Sequence, residues 1–210
     1  MTRLSGRASG PVPSTSGTTT SFFGSGIERG PNRSKELALI AALAAAAAGG
    51  RVLFAFVPNV QPVTIIVAVT GATLGPRAGI AVGGSAALLS NAFLGQGPWT
   101  PWQMIGWGLV GATAGLLPRL LRNRFALAAF GIAWGFLFDW LMDVWAWSAL
   151  GQNADATSFL AFVSTGIPFD VAHATGNVVI ALIAGPTLIR MLDRYARRLH
   201  ASFSPLEGTT

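Results

Sequence analysis

Residues 36–56 read "ELALIAALAAAAAGGRVLFAF", and beyond the leading Glu36 they carry a single charge, at Arg51. A helix needs roughly 20 predominantly apolar residues to cross a hydrocarbon core about 30 Å thick, and this run is long enough. The whole chain has the same character, since 51% of its residues are hydrophobic and only 10% are charged. Too few charges are present to cover a soluble globule. The sequence therefore predicts an integral membrane protein.

More apolar segments follow the first one along the chain. Gly75 and Pro76 divide the second from the third, because they break a helix, and Arg77 beside them is costly in lipid. We predict an all-α fold, a polytopic membrane bundle of six transmembrane helices. They lie near residues 36–56, 61–75, 77–95, 101–120, 125–149 and 165–192.

The two ends of the chain differ from the apolar region between them. Residues 1–34 consist mainly of Ser, Thr, Gly and Pro with scattered Arg, and such a segment cannot bury enough apolar surface to order itself. No apolar core follows the basic start, so a secretory signal is not indicated. We predict a disordered cytoplasmic tail at 1–34, one membrane domain at 35–195 and a cytoplasmic C-terminal tail at 196–210.

The basic residues indicate the orientation, because cytoplasmic loops of membrane proteins are enriched in Lys and Arg. With both termini in the cytoplasm of a prokaryotic cell, every basic residue except Arg51 falls on the inner side of a multi-pass plasma-membrane protein. The same clustering between apolar segments excludes a nucleic-acid-binding face. The inner set is Arg3, Arg7, Arg29, Arg33, Lys35, Arg77, Arg119, Arg122, Arg124, Arg190, Arg194, Arg197 and Arg198.

Six polar residues on four of the predicted spans fall in the outer half of the membrane, given a rise of about 1.5 Å per residue. Polar and charged groups at that depth are costly unless they pair or line a wet cavity, which predicts an outward-open pocket. Two alternatives remain open: Arg51 forms a structural ion pair with one of the two carboxylates, and the amides and the histidine only join helices. The set is Arg51, Asn91, Asp139, Asp143, His173 and Asn177.

The predicted outer loop at 95–103 reads "GQGPWTPWQ". Pro98 and Pro101 restrict the backbone, so Trp99 and Trp102 present rigid rings that can stack on a flat ligand. Gln96 and Gln103 supply groups for its polar edge. The remaining tryptophans fit an interfacial aromatic belt. They are Trp107, Trp134, Trp140, Trp145 and Trp147.

Motifs for other functions are missing from the sequence. It contains no Walker-type loop, no HExxH helix and no cysteine, so we expect neither a bound cofactor nor a metal, and any ATP must be hydrolysed by a partner. Two other classes stay open. One is an intramembrane enzyme that uses Asp139, Asp143 and His173; the other is a non-transport scaffold.

Small residues mark the surfaces where helices approach closely. The run "LIAALAAAAAGG" (39–50) offers them on every face of the first span, either for packing inside the bundle or for a partner helix. The runs "GATLG" (71–75) and "GIAVGGSAA" (79–87) predict tight packing between the second and third spans.

Two stretches, "GRVLFAFVPNVQP" (50–62) and "SNAFLGQGPWTPWQMIGWGLVGATAGLL" (90–117), resemble the S components of energy-coupling factor (ECF) vitamin transporters. The resemblance covers about residues 36–195. It implies a substrate-binding subunit of an ABC-type importer, which captures a vitamin or precursor from outside. The subunit then docks on a transmembrane coupling protein of the EcfT type, which is joined to two ATPase subunits.

Carried over by position, the resemblance assigns Asn59, Gln61 and the 95–103 loop to the capture site. It also assigns the alanine patch of the first span to partner docking, at Ala41, Ala44, Ala45 and Ala48. The two stretches look most like S components linked to cobalamin or another ring-containing cofactor precursor. A shared fold does not fix the ligand, however.

Overall fold

The computed structural model describes residues 31–151 and 154–201. The described residues form seven α-helices and no strand, which confirms the predicted all-α class. A 3-10 helix at Leu120–Arg122 joins the fourth and fifth. The helices are α1 (Pro31–Leu53), α2 (Val63–Leu74), α3 (Pro76–Leu94), α4 (Thr100–Leu116), α5 (Arg124–Ser148), α6 (Ala156–Ile183) and α7 (Gly185–Ala201).

Each of the first five predicted segments corresponds to one helix, but the predicted bounds of the sixth, 165–192, are wrong. Helix α6 begins at Ala156 because Asp155 and Ser158 form a reciprocal capping box, and these hydrogen bonds hold the pKa of Asp155 below its usual value. It ends at Ile183, just before Gly185 and Pro186. A separate, strongly amphipathic helix, α7, then follows.

The predicted tails lie mostly outside the described residues. Of the tail predicted at 1–34, residues 1–30 are not described, and α1 begins at Pro31. The predicted boundary after residue 195 falls inside α7, which continues to Ala201, and residues 202–210 are not described. The disorder predicted for the N-terminal tail and the cytoplasmic location predicted for both tails remain predictions.

Three of the described helices are long and apolar enough to cross a membrane: Ser34–Leu53 within α1, and the whole of α5 and α6. Helix α2 is a shorter apolar helix. The glycine-rich α3 and the short α4 pack on each other and on α2. The count of six crossings and the cytoplasmic termini remain predictions.

Glycines bring three helices together at one point. A β-carbon on Gly111 of α4 would lie 2.2 Å from the carbonyl carbon of Gly79 in α3, and one on Gly71 of α2 would lie 2.1 Å from the carbonyl oxygen of Gly111. Only glycine allows such close backbone approach. The glycine runs therefore pack tightly, as predicted, but their closest contacts are with α4 rather than between α2 and α3.

Helices α5 and α6 form an antiparallel hairpin that packs mainly on itself. Gly135 of α5 lies against the backbone of Ala174 in α6, while Phe138 stacks on Trp107 of α4. At the opposite end of the bundle from the 95–103 loop, α7 packs chiefly against α2. There Arg122 forms a two-pronged ion pair with Asp193.

Candidate functional site

A polar network lies at the end of the bundle where α1, α3 and α5 finish. Its first centre is the Arg51 guanidinium in the last turn of α1, which is only 8% exposed. Arg51 donates to Ser90 Oγ at 2.7 Å, to Asn91 Oδ1 at 2.5 Å and to Gln61 Oε1 at 3.0 Å. Its guanidinium carbon lies 4.8 Å from the centroid of the Trp107 ring, in cation–π geometry. The buried charge is thus held by three neutral acceptors and an aromatic face.

This arrangement overturns one alternative from the sequence. Among the described residues, Arg51 forms no ion pair with Asp139 or Asp143. Asn91 also donates to Gln103 Oε1 at 2.8 Å, which adds Gln103 to the group around the guanidinium. Four of the predicted site residues therefore belong to this arginine centre. These four are Arg51, Gln61, Asn91 and Gln103.

A chain of side chains connects the arginine centre with the α5–α6 hairpin. Trp107 Nε1 donates to Thr64 Oγ1 at 3.2 Å, and Thr64 Oγ1 lies 3.0 Å from His173 Nε2. The other ring nitrogen, Nδ1, lies 3.2 Å from both carboxylate oxygens of Asp139. The tautomer with hydrogen on Nδ1 satisfies this pattern, since Thr64 then donates to Nε2. His173 therefore positions the Asp139 carboxylate from within the bundle.

Asn59 holds the same carboxylate from the α1–α2 connection. Its backbone has a φ of 56°, in the left-handed region that Asn adopts more readily than most residues. In this conformation its amide donates to Asp139 Oδ2 at 2.8 Å and to the carbonyl oxygen of Phe169 at 3.0 Å. The connection is thereby fixed to both helices of the hairpin.

Between this connection and the hairpin lies a cleft of about 260 Å³. Three carboxylates line it, two of them predicted, Asp139 and Asp143, and one that sequence reasoning missed, Asp170. Asp170 is 1% exposed, and its Oδ2 has no hydrogen-bond partner; Asp143 Oδ2 is likewise buried without a partner. The signal for Asp170 was present in the sequence, because it is a carboxylate inside an apolar helix. The complete lining is Asn59, Asp139, Met142, Asp143, Gly166, Phe169 and Asp170.

The 95–103 loop lies at the same end but does not line this cleft. Gln96 bonds to the carbonyl oxygen of Leu88 and accepts from Thr100. Trp99 packs edge-to-face on Trp145 at 5.9 Å between ring centroids, and its ring covers Gly97. The loop is therefore braced by its own contacts.

The remaining predicted residues have other surroundings. Trp102 is half-buried, with no ring contact to another described aromatic residue. Asn177 donates to the carbonyl oxygen of Gly131 and joins α6 to α5 away from the cleft. Trp107, predicted as part of the interfacial belt, is instead almost fully buried against Arg51 and Phe138. Ser90, Thr64 and Thr100 were also missed, because short hydroxyl side chains in apolar helices give little sequence signal.

The alanines assigned to partner docking point in two directions. Ala44 and Ala48 are buried inside the bundle, while Ala41 and Ala45 are exposed, together with Ala42 and Ala46. Packing inside the bundle is thus shown for part of the run, and docking of a partner helix remains a prediction. One face packs internally, and the other presents small residues outward.

Known proteins resemble this chain over most of the membrane region. A family model described as "ECF-type riboflavin transporter, S component" matches residues 32–194. The chain belongs to this family. This S component is 28% identical over 142 residues to a UPF0397 protein of Aliivibrio salmonicida (strain LFI1238), which covers 65% of the chain and 75% of that protein. It is 26% identical over 142 residues, with the same coverage, to a UPF0397 protein of Vibrio atlanticus (strain LGP32). No solved structure gives a significant match.

The family to which the chain belongs is a family of transporter subunits and not of enzymes. Among the described residues, no three His, Asp or Glu side chains are placed to hold a metal ion. Asp139 and His173, the core of the predicted enzymatic alternative, are instead engaged with each other and with Asn59 and Thr64. The family description therefore supports a binding subunit.

Proposed function

We propose that this chain is the substrate-specificity subunit of an ECF-type ABC importer in the plasma membrane of a prokaryote. It spans the membrane six times with both termini in the cytoplasm, and captures a ring-containing vitamin or cofactor precursor from outside. The observation that carries the proposal is the family match over residues 32–194, which includes every residue of the polar network.

The cleft beside Asn59 is the proposed capture site. Ligand pockets are typically concave and largely preformed, with a few convergent polar groups, and the cleft has these features. The residues of the 95–103 loop and the Arg51 centre would shape and support its surroundings, with Trp99 and Trp102 as aromatic contacts at the rim.

The size of the cleft bears on the cargo. At about 260 Å³ it lies just below the range of roughly 300–1,000 Å³ typical of pockets for drug-sized molecules. A whole corrinoid is larger than such molecules, so we favour a smaller ring compound over cobalamin. Riboflavin, which the family description names, is the first compound to test.

The exposed face of α1 is the proposed docking surface for the coupling protein of the EcfT type, which would in turn bind two ATPase subunits. Ala41, Ala42, Ala45 and Ala46 lie on this face, and small side chains allow a partner helix to approach closely. Since no ATP-binding motif occurs in the chain, the energy for import would come from these partners.

The docking proposal is tested by Ala45→Trp in cells that express the chain with its coupling module. We expect uptake and co-purification of the coupling protein to be lost, while the purified subunit keeps its small-molecule binding. Ala133→Trp, at an exposed position of α5, is the matched control and should behave like the parent. Equal loss of binding and uptake in the Ala45 variant would contradict a docking role.

The capture proposal is tested by mass spectrometry of small molecules released from the purified subunit. We expect one ring compound in near-stoichiometric amount, which then binds again to the emptied protein. A subunit that holds no small molecule and associates with no coupling protein would instead support the scaffold alternative.

A further inference from the structure

We propose that the cleft binds an organic cation, so that the cargo of this S component carries a positively charged nitrogen on or beside its ring. This inference rests on the proposed capture function and narrows it to a chemical class. It departs from the riboflavin of the family description, whose ring system is neutral.

The first argument is the state of Asp170. Its side chain is 1% exposed and lines the cleft, and its Oδ2 has no hydrogen-bond partner. A buried carboxylate oxygen without a donor is costly, and native proteins rarely keep one unless another molecule satisfies it. A donor from the cargo is therefore the missing partner.

The second argument is the convergence of carboxylates. Gly166 separates Asp143 and Asp170, and a β-carbon there would lie 3.3 Å from Asp143 Oδ2 and 3.7 Å from Asp170 Oδ1. Asp143 Oδ2 is also buried without a partner. The glycine thus leaves room between two carboxylates, each of which has one buried oxygen without a donor. A positively charged nitrogen is the group that meets both needs at once.

The third argument is the balance of charge around the cleft. Asp139, Asp143 and Asp170 face it, and no Arg or Lys is among its lining residues. His173 contacts Asp139 but does not line the cleft, and Arg51 is committed to Gln61, Ser90 and Asn91. Opposite charge from the cargo would offset the repulsion between the three acids, whereas a neutral or anionic ring would leave it in place.

An organic cation fits better than a bare metal ion. Among the described residues, no group of three acids or histidines is placed to coordinate a metal. The cleft is also far larger than a single ion requires, and Met142 and Phe169 give it apolar walls suited to a ring.

The test uses matched pairs of small ring compounds that differ chiefly in charge at pH 7. They are 1-methylnicotinamide with nicotinamide and pyridoxamine with pyridoxine, and riboflavin is included as a neutral tricyclic compound. Thermal-shift and calorimetric titrations are done on the full chain in detergent. We expect at least one cation to bind saturably, at least about 10-fold more tightly than its neutral partner.

Asp170→Asn then separates charge from shape. For the cation that binds, we expect an affinity loss of about 10- to 100-fold, the effect of removing one charge-assisted hydrogen bond. The unliganded variant should melt at or above the temperature of the parent, because an unpartnered buried charge has been removed. Asp155→Asn is the control, since Asn also serves as a helix N-cap and residue 155 lies outside the cleft.

The results distinguish this inference from the proposed function. Riboflavin binding that Asp170→Asn leaves unchanged would overturn the cationic cargo and keep the capture function. Failure of every cation to bind, or equal binding of a neutral partner, would also overturn it. Absence of any binding together with absence of a complex with the coupling protein would overturn both proposals.

Discussion

Replacement of Asn91 with leucine removes the residue on which the Arg51 centre depends. Asn91 is 1% exposed, accepts from the guanidinium at 2.5 Å and donates to Thr100 Oγ1 at 2.9 Å and Gln103 Oε1 at 2.8 Å. A hydrogen bond to a charged group contributes about 1.5–3 kcal/mol, and buried neutral partners left without one add about 1–3 kcal/mol. We therefore expect Asn91→Leu to lower the free energy of unfolding by about 3–5 kcal/mol.

Arg51→Met is expected to cost less, although it deletes the charge itself. It leaves only neutral acceptors behind, and Ser90 keeps its bonds to the carbonyl oxygens of Ala86 and Ala87. Removing the partner of a buried charge is worse than removing the charge, because the charge then stays buried without compensation. The double variant should lose about 1.5–3 kcal/mol less than the sum of the two single variants.

The measurement is reversible unfolding of the full chain in mixed detergent, followed by tryptophan fluorescence, for the parent, both single variants and the double variant. Ser85→Ala, at a half-buried position of α3 outside the Arg51 centre, is a control that should change stability little. If Arg51→Met destabilises as much as Asn91→Leu, or if the two effects simply add, the idea that Asn91 compensates a buried charge is refuted.

Two further predictions concern packing and topology. Gly111→Ala should lower the free energy of unfolding by about 1–3 kcal/mol, because its β-carbon would meet the backbone of α3. Gly84→Ala should be neutral or up to about 1 kcal/mol stabilising, because the nearest neighbour of its β-carbon would lie at 3.9 Å. Chemical denaturation of both variants checks this, and equal effects would contradict it. The native chain has no cysteine, so a thiol reagent reports only on an introduced one. In intact cells an impermeant reagent should label Gln96→Cys but not Arg119→Cys, because the predicted orientation puts residue 96 outside and residue 119 inside. The reverse pattern would overturn this orientation.

The sequence was informative where one physical requirement dominates a segment. Apolar runs predicted the helical class and five of the helices, because a continuous apolar segment satisfies its own backbone groups in lipid only as a helix. The sixth was misplaced because its start depends on a local capping box at Asp155 and its end on Gly185 and Pro186, which interrupt a run of continuous hydrophobicity.

The site was less predictable, because partners are set by helix rotation and register. Depth along a helix correctly placed Arg51, Asp139 and His173 at one end of the bundle. It could not show that Arg51 faces α3 while Asp139 faces α6, since a helix turns about 100° per residue and the pairing depends on which faces meet. Asp170 was visible as a carboxylate in an apolar helix, but only the packing of α5 on α6 brings it beside Asp143.

The left-handed turn at Asn59 has a consequence for how cargo and partner communicate. Asn59 fastens the α1–α2 connection to Asp139, a carboxylate that also lines the cleft. A cargo that drew the Asp139 carboxylate toward itself would weaken this bond to Asn59. The two effects are reciprocal. If the cargo changes the equilibrium between the fastened and released connection by some factor, then release of the connection changes the affinity for the cargo by the same factor. Because α1 leads into this connection and also presents the exposed alanines, loading at one end and docking along α1 would share a single equilibrium.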